Sequence, residues 1–103
     1  MNQDKLEQGS DNPITAAPKL REQTFGEKAV GLNFNPSNDD AVARIKKSCA
    51  DAIDILNNER ISIKTSQNED DGQNGERLAM LTLAIRAIQD GQMWGVKAVT
   101  WRG

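Results

Sequence analysis

Histidine and tyrosine are absent from this chain, and cysteine occurs once in 103 residues. Without histidine, the common general base at neutral pH is missing. One cysteine, Cys49, and no histidine also exclude the usual zinc-binding sets. The lone thiol rules out an internal disulfide framework and suits a reducing compartment. Aromatic residues are scarce, two Phe and two Trp, so a core has to come from Ile, Leu, Val, Ala and Met, which favours helices. No apolar run approaches the ~20 residues of a membrane span, so no membrane partner is expected. The N-terminal MNQDKLEQGSDNP lacks the basic-then-apolar pattern of a secretory leader. A formal net charge of −2 supplies no global basic field for a long nucleic acid. There is no Gly-rich phosphate loop of the Walker or dinucleotide type, and Ser37, Ser48 and Cys49 have no base at helical spacing. Catalysis and bound cofactors are therefore not expected.

What is present is a composition of 37% hydrophobic and 27% charged residues, ordinary for a single small domain. Residues 1–24 are polar, contain Pro13 and Pro18, and offer Leu6, Ile14 and Leu20 as their only sizeable apolar groups. Such a segment cannot bury enough surface to offset its ordering entropy, which predicts a flexible arm, with a short docking helix as the alternative. From Phe25 to Pro36 (FGEKAVGLNFNP) two glycines punctuate alternating Val30, Leu32 and Phe34. That pattern predicts an extended segment pinned by a few apolar side chains, with Phe34 capping the core. The chain divides on this reading into an arm, 1–29, and a hairpin domain, 30–103.

The first long helix is expected from about Asn38 to about Glu59. Ser37 offers an N-cap and Asp40 an acid three positions on, while Asp39 and Asp40 suit the positive end of the helix dipole. Val42, Ile45, Cys49, Ala52 and Leu56 then repeat at 3-4 spacing, with Ile53 widening the stripe. Residues 65–75 (TSQNEDDGQNG) carry loop signals throughout. A second helix follows from Asn74 or Gly75 to about Thr100, with Leu78, Leu81, Ile85, Ile88 and Val99 on one face. A second stripe, Met80, Leu83, Ala84, Ala87, Trp94 and Ala98, lies beside it. One hairpin partner needs one apolar face, so two faces predict a further partner, most simply another copy of the chain. Gly91 and Gly95 each cost about 1 kcal/mol relative to Ala in a helix interior. Four residues apart, they predict close approach of another backbone or a planar ligand.

Between 41 and 103 stand nine basic side chains and eight acids, three of the acids in the loop. The helical part thus has a positive excess. Arg44, Lys46 and Lys47 crowd one turn near the start of the first helix, a placement suited to a small anion and equally to a solvated turn paired with Asp40 or Asp51.

Two stretches, FNPSNDDAVARIKKSCADAIDIL and ERLAMLTLAIRAIQDGQMWGVKAVTW, together resemble the helical-hairpin domain shared by phage anti-CBASS cyclic-nucleotide sponges and a group of Thoeris anti-defence proteins. The resemblance spans about residues 30–101, and the Arg44-Ile45-Lys46 turn and the QMWGVKAVTW tail are its most specific parts. It implies an all-α fold, a long antiparallel two-helix hairpin with an extended or short-helical arm, assembled into a compact homo-oligomer, commonly a hexamer. It further implies sequestration of cyclic di- or trinucleotide signals without cleavage, in the host bacterial cytoplasm. Lys46 matches the family's phosphate-contacting lysine. The family's tyrosine aligns near Gly31, where this chain has no aromatic, and Phe34 is the nearest substitute, able to stack without a hydroxyl. Ser48 is the implied polar contact for a trinucleotide, with Arg77 and Arg86 as further contacts, while Trp94 and Trp101 are expected in the oligomer core. Competing readings are a helical protein-interaction module or adaptor that docks through its apolar stripe and a binder of single-stranded nucleic acid. The acidic balance and the few aromatics speak against the last.

Overall fold

A computed structural model of the chain describes residues 21–66 and 72–103. These residues form three α-helices: α1 (Phe25–Val30), α2 (Asp40–Thr65) and α3 (Asn74–Thr100). The expected flexible arm falls largely on residues 1–20, and the acidic run Glu69, Asp70 and Asp71 on 67–71. Both lie outside the described residues.

Phe25–Val30 is helical, not extended, and local hydrogen bonding explains why. Thr24 accepts from the Glu27 backbone N–H, and the Glu27 carboxylate accepts from the Thr24 N–H, completing a capping box. Glu27 is 3% exposed and also receives the Arg21 guanidinium at 2.5 and 3.0 Å. The hydrogen bond from Arg21, then that from Thr24, hold its carboxyl down to about 2. The helix ends where Gly31 turns left-handed at φ 62°, a conformation that favours glycine.

Helix α2 starts and stops differently from the expectation. Its N-cap is Asp39, whose carboxylate accepts from the Ala41 N–H at 2.8 Å. Ser37 lies a turn earlier, donating to Asn35 Oδ1 and accepting from the Asp39 N–H. The helix runs on past Glu59 to Thr65, whose hydroxyl donates to the Ile61 carbonyl at 2.8 Å. Helix α3 spans the expected residues and passes through Gly91 and Gly95 unbroken.

The core is small and centred on α2. Ala50 and Ile53 have no exposed surface, and Val30 and Ile85 close over them from α1 and α3, with Leu32, Cys49, Leu56 and Ile88 packed around. Burying an isoleucine of this kind is worth about 1.5–3 kcal/mol. Helix α1 reaches α2 by a close backbone approach at Gly26. A Cβ there would lie 2.1 Å from the Ala50 carbonyl oxygen, and the Gly26 N–H donates to Asp54 Oδ1 at 2.7 Å. The Gln89 amide of α3 donates to the Ala29 carbonyl at 3.1 Å, tying α1 to the third helix.

The glycine pair of α3 divides its roles. A Cβ on Gly95 would meet Ile45 of α2 at 3.7 Å, so this glycine faces its own hairpin and not another copy, whereas Gly91 faces open space. The second stripe of α3 is left uncovered: Met80, Leu83 and Trp94 are 54%, 68% and 63% exposed.

Candidate functional site

The segment between α1 and α2 is a chain of turns held by its own amides. Leu32 N–H donates to the Glu27 carbonyl, Phe34 N–H to Gly31 and Asn38 N–H to Asn35. Asn38 adopts φ 55° to redirect the backbone into α2, a conformation asparagine tolerates better than most residues.

Lys46 rises from α2 into this segment and is 5% exposed. Its ammonium donates to the Gly31 carbonyl at 2.9 Å and to the Phe34 carbonyl at 2.5 Å. Burial pushes its pKa down, because desolvation penalises the charged form. An ammonium has three N–H donors, so these two bonds leave one. Phe34 is anchored through its backbone while its ring stays outside, 71% exposed, with the Lys46 ammonium 5.5 Å from the ring centroid.

A cleft of ≈ 260 Å³ opens beside this pair. Phe34, Pro36 and Ser37 form one wall, Val42 and Lys46 of α2 the floor, and Val96 and Thr100 of α3 the other side. The Thr100 hydroxyl donates to the Val96 carbonyl at 2.8 Å, and its oxygen keeps lone pairs free to accept. The cleft therefore combines an apolar base, an aromatic face and one desolvated cation. That combination suits a flat ring carrying an anionic oxygen.

Of the seven residues singled out in the sequence, the structure brings Phe34 and Lys46 together. Arg44 and Lys47 form exposed i,i+4 ion pairs with Asp40 at 2.8 Å and Asp51 at 2.7 Å. The hydrogen bond that Lys47 donates to Asp51, together with the Asp51 charge, raises the Lys47 pKa. Ser48 is exposed on α2. Arg77 lies toward the other end of the hairpin, donating to Asn74 Oδ1 and Gln73 Oε1 beside a separate hollow lined by Glu59, Ile63, Met80 and Leu81. Arg86 donates to Gln89 Oε1 at 3.1 Å.

The sequence reading missed Val42, Val96 and Thr100 as cleft residues. Val96 and Thr100 lie one turn apart in the QMWGVKAVTW tail, which the sequence marks by its resemblance and by its apolar stripes. Their i,i+4 spacing was the signal available.

Among the described residues no group of three or more His, Cys, Asp or Glu could hold a metal ion. The half-buried Cys49 thiol is pushed up by desolvation, the wrong direction for a nucleophile. No described helix is long and apolar enough to cross a membrane.

Residues 27–100 match the family model described as Acb2/Tad1, hairpin domain. No curated protein and no solved structure matches the chain.

Proposed function

The chain belongs to the Acb2/Tad1 hairpin-domain family, a family associated with anti-defence sponges, and from that premise we propose that it binds cyclic oligonucleotide signals and withholds them intact. The ligands on this reading are cyclic dinucleotides, with cyclic trinucleotides as a second class. Signalling of the CBASS type would then fail in the host bacterial cytoplasm because the effector never meets its activator.

The observation that carries the reading is the Phe34–Lys46 pair. The exposed ring supplies a stacking face, and the remaining Lys46 N–H supplies one charge-assisted bond to a phosphate oxygen. Phe34 takes the place of the aligned tyrosine, three residues further along the chain and tied to the lysine by its own carbonyl. One chain presents one such pair, whereas a cyclic dinucleotide carries two bases and two phosphates. A two-fold assembly would present two. The uncovered α3 stripe, Met80, Leu83 and Trp94, supports assembly into a homo-oligomer, a hexamer in keeping with the resemblance. Arg44, Lys47, Ser48, Arg77 and Arg86 remain proposed contacts from neighbouring copies, since none reaches the cleft within its own chain.

The exposed stripe also favours a second reading, a helical adaptor that docks a protein and has no nucleotide ligand. Calorimetric titration of the purified chain with cyclic di- and trinucleotides separates the two. Saturable binding is expected, with the ligand recovered unchanged by chromatography, and Phe34→Ala should weaken it by about tenfold, the value of one stacked base. Cleaved ligand would contradict a sponge. Silence across the panel would leave the adaptor.

A further inference from the structure

The cleft beside Phe34 has a hydrogen-bond polarity as well as a shape. Its volume of ≈ 260 Å³ is below that of sites enclosing a whole small molecule, so it takes one ring system of a larger ligand. Val42 and Val96 give that ring apolar surface. The polar side chains that line the cleft are those of Asn35, Ser37, Lys46 and Thr100.

Most of their protons are already committed. Ser37 donates its hydroxyl proton to Asn35 Oδ1 at 2.8 Å and accepts from the Asp39 N–H. The Asn35 amide donates to the Asp39 carbonyl at 3.1 Å, which leaves it one N–H on the Phe34 wall. Lys46 keeps one N–H, and under the proposed function that one goes to a phosphate oxygen. Thr100 is half-buried in the last turn of α3 and donates its proton to the Val96 carbonyl at 2.8 Å. A hydroxyl has one proton and two lone pairs, so Thr100 offers the cleft an acceptor and no donor. Helix α3 brings no other polar side chain to the cleft.

Nucleobases differ in what they would bring to that oxygen. Adenine and cytosine carry an exocyclic amino group, a donor, at the ring position where hypoxanthine and uracil carry a carbonyl, an acceptor. An amino group meets the Thr100 oxygen with a hydrogen bond. A carbonyl meets lone pairs, and the hydroxyl can turn to it only by giving up its bond to Val96. Either way one polar group in the cleft goes unpaired, which is the costly case.

Resting on the reading that the Phe34 cleft holds a base of the sequestered signal, we propose that Thr100 selects that base. Its oxygen favours the amino-bearing bases, adenine and cytosine, over their carbonyl counterparts, hypoxanthine and uracil.

The full chain is titrated calorimetrically with cyclic di-AMP and with cyclic di-IMP, its inosine counterpart, which exchanges each exocyclic amino group for an oxygen and leaves sugar and phosphate alone. Cyclic di-AMP is expected to bind about tenfold more tightly, the value of one hydrogen bond made against one left unmade. Thr100→Val keeps the branched shape without the oxygen and should bring the two affinities together, as should Thr100→Ala. Thr100→Ser, still able to bond back to Val96, should keep the preference. Equal affinities in the unaltered chain, tighter binding of cyclic di-IMP, or a preference that survives Thr100→Val and Thr100→Ala would overturn the role of Thr100 and leave the sponge standing. Binding of neither ligand would overturn the sponge and this selection together.

Discussion

The two long helices differ in where their side chains find partners. Helix α2 is met on two sides by its own chain: Ala50 and Asp54 face α1 across Gly26, Lys46 closes the turn that follows, and Ile53 sits in the core shared with Ile85. It buries Val42, Lys46, Ala50 and Ile53, and leaves Ile55 and Ile61 open. Helix α3 is one residue longer yet buries Ile85 and Gln92 only. Its Met80, Leu83, Met93 and Trp94 are all more than half exposed. Apart from Ile55 and Ile61, the large apolar residues of α2 are mostly consumed in making the fold, while those of α3 exceed what the hairpin uses and are available to whatever meets it.

The sharpest way to break that contrast is a pair of equal truncations. Ile53→Ala should cost about 2–5 kcal/mol, because the site is fully enclosed, whereas Leu83→Ala in the dilute chain should change stability by less than ~0.5 kcal/mol. Urea unfolding of the two variants measures the difference, and equal losses would mean that α3 is covered even in the single chain. The next effect concerns the seam with α1. Gly26→Ala should cost about 1–3 kcal/mol, the usual range for overpacking, since the opposing atom is a backbone oxygen that cannot rotate away. Hydrogen exchange would show it as lost protection confined first to residues 25–30. Unchanged protection would remove the close approach as the reason for glycine.

The smallest effect is one of pH. Glu27 titrates at about 2 when folded, against the usual 4.5. Its folded pKa is lowered, so its contribution is complete above 4.5 and is lost as pH falls from there toward 2. Helix α1 should therefore loosen in acid before the α2–α3 pair. Glu27→Gln should flatten that acid limb in a circular-dichroism titration, and an acid limb of the same shape in the variant would assign the loss to other carboxylates.

The same contrast explains what could be read in advance. Helix α3 was legible because Leu78, Leu81, Ile85 and Ile88 repeat over several turns ahead of a polar loop. Helix α1 was not, since six residues are too few for a periodicity. The Thr24–Glu27 capping pair was its one signature, and the alternation of Val30, Leu32 and Phe34 pointed the other way. The far end of α2 was set too early because Ile61, Ser62 and Ile63 are weak helix formers and Arg60 and Lys64 already suited a C-terminus. At the candidate site, Phe34 and Lys46 were each expected as ligand contacts from the resemblance, with no contact between them foreseen. The burial of Lys46 was not, because its acceptors are backbone carbonyls of a turn twelve and fifteen residues earlier, and side-chain spacing carries no record of them.

On the proposed sponge reading, that anchored lysine would bear on how long a ligand stays. A free surface lysine must give up much of its rotamer entropy each time it grips an anion. Lys46 has already given up that freedom in closing the Gly31–Phe34 turn, so under the proposed function its remaining N–H would meet an incoming oxygen with little further ordering to do. Pre-organisation of this kind adds affinity by removing such costs, and among related complexes affinity differences are expressed mainly in dissociation rate. A protein that withholds a signal without destroying it depends on slow release, and one folded-in ammonium favours it.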